Sequence, residues 1–138
     1  GIRVPAIAWG TKVQQKVSDE PLANWDFLPT VAEIIGEKIP KDISGVSFLD
    51  VLQTSSHKTK HESLYWEFFE RGFDQAIRKG NWKAVRRSIN KSALELYDLS
   101  KDYAENNDVS AQHPAIVKEM EALFLKSRVD SPDYPLPK

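Results

Sequence analysis

The sequence predicts an α/β organisation, or α+β for this stretch taken alone: the last elements of an α/β domain, then a small four-stranded antiparallel sheet packed by a C-terminal helix. Three observations predict it. Runs rich in aromatic and β-branched residues at 62–69, 74–88 and 94–99 are separated by turn signals. A proline-led amphipathic stretch follows at 113–128. Ahead of both lies an apolar run at 3–9, followed by a helix-like pattern at 24–36.

Each element has a local cause. RVPAIAW (3–9) is apolar and alternating enough for a buried strand, with Pro5 near its start where a missing N–H is tolerated. NWDFLPTVAEIIG (24–36) reads as a helix that Asp26 can cap, with Pro29 in the first turn and Gly36 as the stop. Leu28, Val31, Ile34 and Ile35 form a face on it that needs a cover. A short apolar turn, VSFLDVL (46–52), precedes the polar run QTSSHKTK (53–60). The expected division is therefore 1–52 as the end of an α/β domain, 53–60 as linker, 61–128 as a C-terminal subdomain and 129–138 as an extended tail.

ESLYWEFF (62–69) reads as the first strand of the sheet. DQAIRKGNWKAVRRS (74–88) is a hairpin turning at Gly80-Asn81, and LELYDL (94–99) is a fourth strand. SKDYAENND (100–108) is dense in side chains that bond their own backbone. Pro114 suits the first position of a helix whose Ile116, Met120, Leu123, Phe124 and Ser127 share a face. That face should lie on the sheet.

Composition excludes several function classes. The 138 residues contain no cysteine, which removes disulfides, thiolate nucleophiles and Cys-based zinc sites together. No segment has the run of about 20 apolar residues that spans a bilayer, and the first ten residues do not read as a secretory signal. The chain does not start with Met, so it is expected to be a piece of something longer. Net charge is −1, yet between Arg71 and Lys91 Asp74 is the one acid among Arg71, Arg78, Lys79, Lys83, Arg86, Arg87 and Lys91. Glu95, Asp98, Asp102, Glu105 and Asp108 compensate downstream.

The candidates for chemistry are few. His57 and His61, four apart beside Glu62, could begin a metal site, but their Lys, Thr and Ser neighbours read as a solvated loop. His113 stands where capping or exposure is expected. Glu67 and Glu70 fail as a catalytic carboxylate pair, since strand residues three apart face opposite sides. Asn90-Lys91-Ser92 satisfies the glycosylation sequon. No nucleophilic triad, phosphate loop or dinucleotide fingerprint is present. Trp66, Phe68 and Trp82 are expected to hold the sheet together. Arg78, Lys83, Arg86 and Arg87 cannot share one face; those that converge on a cleft would favour sulfate, phosphate or carboxylate, and the default is a solvated face.

The order of motifs carries a resemblance. GIRVPAIAWG, WDFLPTVAEIIG, GVSFLDVL, LYWEFF with the GNWKAV hairpin, and ELYDLSKDYAENNDVSAQHP together resemble the C-terminal part of sulfatases of the arylsulfatase type, in the formylglycine-dependent, alkaline-phosphatase-like superfamily. Most specific are D-x-x-P-T before an apolar helix and E-L-Y-D-L-x-x-D before an Asn-rich turn. The resemblance implies a sulfuric ester hydrolase as parent, with a formylglycine made within Cys/Ser-x-Pro-x-Arg beside a Ca²⁺ ion. This chain has neither that motif nor the metal ligands, so no catalytic or metal residue is assigned within it and it is expected to be inactive alone. Gly1, Arg3 and Pro5 match the end of the family's Gly-Gly-x-Arg-x-Pro stretch.

What the resemblance does assign here is part of the cleft rim. The loop after the Tyr-Trp-Glu-Phe strand implies substrate contacts at Trp66, Glu67, Phe69, Glu70 and Arg71. The sequence departs from the family at Phe69, where His is common, and at Phe73, where Gly is common. Expected partners are the remaining N-terminal part of the sulfatase and a sulfated small molecule or glycan, with no nucleic acid and no membrane. The expected location is the periplasm, the exterior or the lysosome. Two other readings stand beside this one: a free-standing binding module for anionic polysaccharide or nucleic acid, and a purely structural subdomain.

Overall fold

The computed structural model describes residues 2–54, 61–70, 72–88 and 93–136. The chain divides into two compact units, Gly1–His61 and Glu62–Lys138.

In the first unit, residues 3–9 do not form the expected strand: they carry no ladder, and Ile7 and Trp9 are almost fully exposed. A strand needs a neighbour to take its N–H and C=O groups, and the described residues of this unit offer none. A 3₁₀ turn at Asn24–Asp26 leads into α1 (Phe27–Ile35), which ends on Gly36 at φ 75°. The left-handed stop is the one read from the sequence. The apolar turn at 46–52 becomes a short helix, α2 (Leu49–Gln53).

Asp26 departs from its expected role. It stands at the N-cap of α1 without capping that helix through its side chain. Its carboxylate instead accepts the N–H of Ala23 (2.7 Å), the N–H of Val46 (2.9 Å) and His61 Nε2 (2.8 Å to both oxygens). Thr30 extends the node, its hydroxyl donating to the Asp26 carbonyl (2.7 Å) and accepting from the N–H of Phe48 (3.0 Å). A fully buried carboxylate must have such partners. The D-x-x-P-T motif is thus a knot that ties the loop 45–48 to the start of α1. Gly45 makes the approach possible, since a Cβ there would lie 2.1 Å from the Trp25 carbonyl oxygen.

The α1 face read as needing a cover is outward. Leu28, Ile34 and Ile35 are each more than half exposed, while Pro29, Thr30 and Ala32 are buried.

The second unit is the sheet and its helix. Strands β1 (Leu64–Phe68), β2 (Asp74–Lys79), β3 (Trp82–Arg86) and β4 (Glu95–Asp98) pair antiparallel in sequence order. Lys79 faces Trp82 across the two-residue turn Gly80-Asn81. Tyr65, Ile77, Ala84 and Leu96 form one row across all four strands. Onto that row packs α3 (Pro114–Ser127) through Met120, Leu123 and Phe124. Burying such side chains contributes about 2 kcal/mol each.

Trp82 packs against this core, as expected. Phe68 does not: it is 53% exposed at the end of β1 and holds no part of the sheet core. The His113 side chain makes no cap bond, and its ring lies 4.9 Å from that of Trp82. The loop after β4 bonds itself as its composition implied, with Asp98 accepting from Ser100 (3.1 Å) and Asp102 from the Asn107 N–H (2.7 Å).

Candidate functional site

The turn joining β1 to β2 is the part singled out for substrate contact. Phe68 opposes Asp74 in the register, so the turn spans 69–73. Gly72 (φ 107°) and Phe73 (φ 67°) both take left-handed backbone. For Gly72 this is unstrained, and a Cβ there would stand 2.7 Å from Ser88 Oγ. For Phe73 it costs on the order of 1–2 kcal/mol. Burial offsets that cost, because Phe73 is 1% exposed and its ring meets Phe69 edge-on at 4.5 Å. Asp74 adds an anchor by accepting the N–H of Ser88 (2.8 Å).

The supports of this turn form a chain of polar contacts. Gln75 donates to the Tyr65 hydroxyl (2.6 Å), and that hydroxyl donates to Glu67 Oε1. Burial first, and the bond to Glu67 second, push the Tyr65 phenol far above its ordinary range. Tyr65 therefore stays a donor at any working pH. Arg128, just beyond α3, brings its Nε to 2.9 Å from Glu67 Oε1, an ion pair off the hydrogen-bonding angle. The same guanidinium pairs with Asp130 and donates to the Tyr134 carbonyl (2.9 Å). The Tyr134 ring in turn lies 4.9 Å from Phe69.

The five residues read as substrate contacts are therefore placed differently. Trp66 lies half-buried in β1, on the face opposite Tyr65 and Glu67. Glu67 is engaged by Tyr65 and Arg128. Phe69 is partly exposed and Glu70 fully on the surface of the turn. Arg71 lies outside the described residues. Arg128 and Tyr134 were missed from sequence, because nothing local marks a tail residue as the partner of a strand 60 positions earlier.

Among the described residues, the basic side chains of the cluster meet acids, a ring or a carbonyl. Lys79 pairs with Glu119 (2.7 Å), Lys83 with Glu105 (2.6 Å) and Arg87 with Glu95 (3.1 Å). Arg86 lies over the Phe124 ring, and Arg78 donates to the Gly80 carbonyl. Glu95 in β4, Glu105 in the loop after it and Glu119 on α3 thus supply counter-charges to three basic side chains of the hairpin.

His57 and the sequon Asn90-Lys91-Ser92 lie outside the described residues. His61 is not in a solvated loop: it is mostly buried and its Nε2 is committed to Asp26. Among the described residues, no group of three metal-ligating side chains comes together.

The family model "N-sulphoglucosamine sulphohydrolase, C-terminal" matches residues 1–130, and the chain belongs to that family. Arylsulfatase K of Xenopus laevis is 36% identical over 118 residues, covering 78% of this chain and 22% of the relative. The N-acetylgalactosamine-6-O-sulfatase of Bacteroides thetaiotaomicron is 28% identical over 140 residues, covering 90% and 27%. The chain thus spans about a quarter of the length of these relatives. Among solved structures, a 2-O GAG sulfatase superposes with a TM-score of 0.72 at 24% identity, over 86% of this chain and 28% of that one. The fold alone does not select sulfate, because a phosphonate monoester hydrolase of Agrobacterium radiobacter also superposes, with a TM-score of 0.60 at 20% identity over 79% and 25% of the two chains.

Proposed function

We propose that this chain is the C-terminal part of an enzyme that hydrolyses sulfate esters of a carbohydrate, and that it supplies structure and one section of the substrate-cleft rim. The family match over residues 1–130 carries the reading. The substrate class is supported by what relatives are described as acting on or binding: an N-acetylgalactosamine 6-O-sulfate, a 2-O-sulfated glycosaminoglycan and D-glucosamine-2-N,6-O-disulfate. The rim is the β1–β2 turn, with Trp66, Glu67, Phe69, Glu70 and Arg71 as the contact set. Of these, Phe69 and Glu70 are the exposed described members at the turn itself.

Sulfate-ester cleavage needs a nucleophile and fixed positive charge around the developing oxyanion. The formylglycine and calcium of this superfamily do not fit the residues present. The chain has no cysteine and no Ser-x-Pro-x-Arg, and the described residues bring together no metal cage. No catalytic step is assigned to it, and both groups are placed in the remaining N-terminal part of the parent. That part is also the partner for the outward stripe Leu28, Ile34 and Ile35 of α1, with Ile7 and Trp9, since apolar side chains exposed in number mark a docking face. The parent works in the periplasm, outside the cell or in a lysosome; no helix among the described residues is long and apolar enough to cross a membrane.

The test is sulfate release from a 6-O-sulfated N-acetylgalactosamine glycan. The full-length gene product is expected to release sulfate, and the 138-residue chain alone none. Release by the chain alone would overturn the division of labour. A full-length product that cleaves a phosphonate monoester and no sulfate ester would overturn the reaction class.

A further inference from the structure

We propose that the segment from Arg128 to Tyr134 is a strap that sets the position of the β1–β2 turn, so that Arg128 and Tyr134 are positioning residues for substrate selection. This rests on the reading of that turn as substrate rim.

The strap is attached through residues six apart to two residues, Glu67 and Phe69, that are two apart. Arg128, whose side chain is 9% exposed, holds Glu67, and Tyr134 lies against Phe69. Between these points the segment is closed on itself. Arg128 Nη2 donates to the Tyr134 carbonyl, the Tyr134 N–H donates to the Ser131 carbonyl (3.2 Å), and Arg128 pairs with Asp130. Pro132 and Pro135 remove two backbone freedoms from the same stretch. At the far end, Tyr65 donates to Glu67 and is itself held by Gln75 from β2, which steadies the charge that receives Arg128. Glu67 is then the strap's anchor on the sheet.

Tyr134 is placed to act on the turn and not on the fold. It is 59% exposed, touches none of the core around α3, and lies on the ring that packs against the strained Phe73. A strained turn persists only where its surroundings over-determine it. Removing one ring from the stack Tyr134–Phe69–Phe73 should free the turn while leaving the sheet core in place.

The experiment uses the full-length polypeptide carrying this segment, with a 6-O-sulfated N-acetylgalactosamine disaccharide and 4-nitrophenyl sulfate as substrates. In Tyr134→Ala and Arg128→Ala, KM for the disaccharide is expected to rise about five- to tenfold, with kcat/KM for the aryl sulfate changed less than about twofold. Amide hydrogen exchange at 69–73 should quicken in both variants, and Tyr134→Phe should restore wild-type values in every readout. Unchanged exchange at 69–73 in Tyr134→Ala would overturn the strap, as would equal losses on the two substrates. If the turn loosens while both KM values stay fixed, Glu70→Ala separates the two causes. A silent Glu70→Ala would remove the substrate rim and the strap's purpose with it. A Glu70→Ala that raises KM for the disaccharide alone would remove only the strap.

Discussion

Asp26 and Asp108 each accept two backbone N–H groups, and they act in opposite surroundings. Asp26 is fully buried and serves two backbone N–H groups and His61. Asp26→Ala leaves those donors buried without an acceptor, at a cost of about 3–5 kcal/mol. The expected readout is loss of exchange protection at the Val46 and Phe48 amides, with strand β2 unaffected. Asp108 sits at the surface, where its Oδ1 accepts the N–H of Leu96 (3.0 Å) and of Ser110 (2.8 Å). Partial burial works against its charged form, but the bonds from Leu96 and Ser110 outweigh it and hold the carboxyl below its ordinary range. Since the folded value is the lower one, this contribution is present above the usual carboxylate range and is lost as pH falls through the lowered value, below about 4. Asp108→Asn should flatten the fall in stability below that pH, as read by urea titrations at a series of pH values. Phe69 and Phe73, the two departures from the family pattern, meet at 4.5 Å. A phenylalanine at a left-handed position is tolerated here because its ring is buried against the other.

Among elements, the β2–β3 hairpin is the most locally determined. Of Gly80 and Asn81, only the glycine takes a positive φ, 57°, the arrangement in which glycine leads a two-residue turn. A Cβ on Gly80 would meet nothing within 4 Å, so the cost of Gly80→Ala is backbone strain alone. Loss of about 1 kcal/mol is expected, seen as a lowered urea midpoint with unchanged slope. Helix α3 was legible for the same kind of reason: proline at its start and an apolar face at i, i+4, i+7 and i+8 are local signals, and Ile116, Met120, Leu123 and Phe124 do meet the sheet. The run 3–9 forms no strand in this chain alone because a strand is not a local object. Its apolar alternation states a preference, but without a neighbour to pair with the chain stays extended and exposed.

For the molecule as a whole, the charge pattern shows how far sequence reading reached. Alternation established that the basic side chains of the hairpin could not share a face, and Arg78 and Lys83 are indeed opposed on one face while Arg86 lies on the other with the helix. That their counter-charges would be Glu95, Glu105 and Glu119 was not readable. The sequence by itself determined the four strands, the turn at Gly80-Asn81, the helix that packs on the sheet, and the absence from this chain of a cysteine-derived nucleophile. All of these follow from periodicity, turn chemistry or motif spacing, which act within a few residues or are counted directly. Only the tertiary structure decided that Asp26 is a buried knot, that Lys79, Lys83 and Arg87 pair with acids, and that Arg128 meets Glu67 while Tyr134 meets Phe69. Each of those depends on residues far apart in sequence meeting at 2.6–4.9 Å, and the chain's local preferences contain no record of such distances.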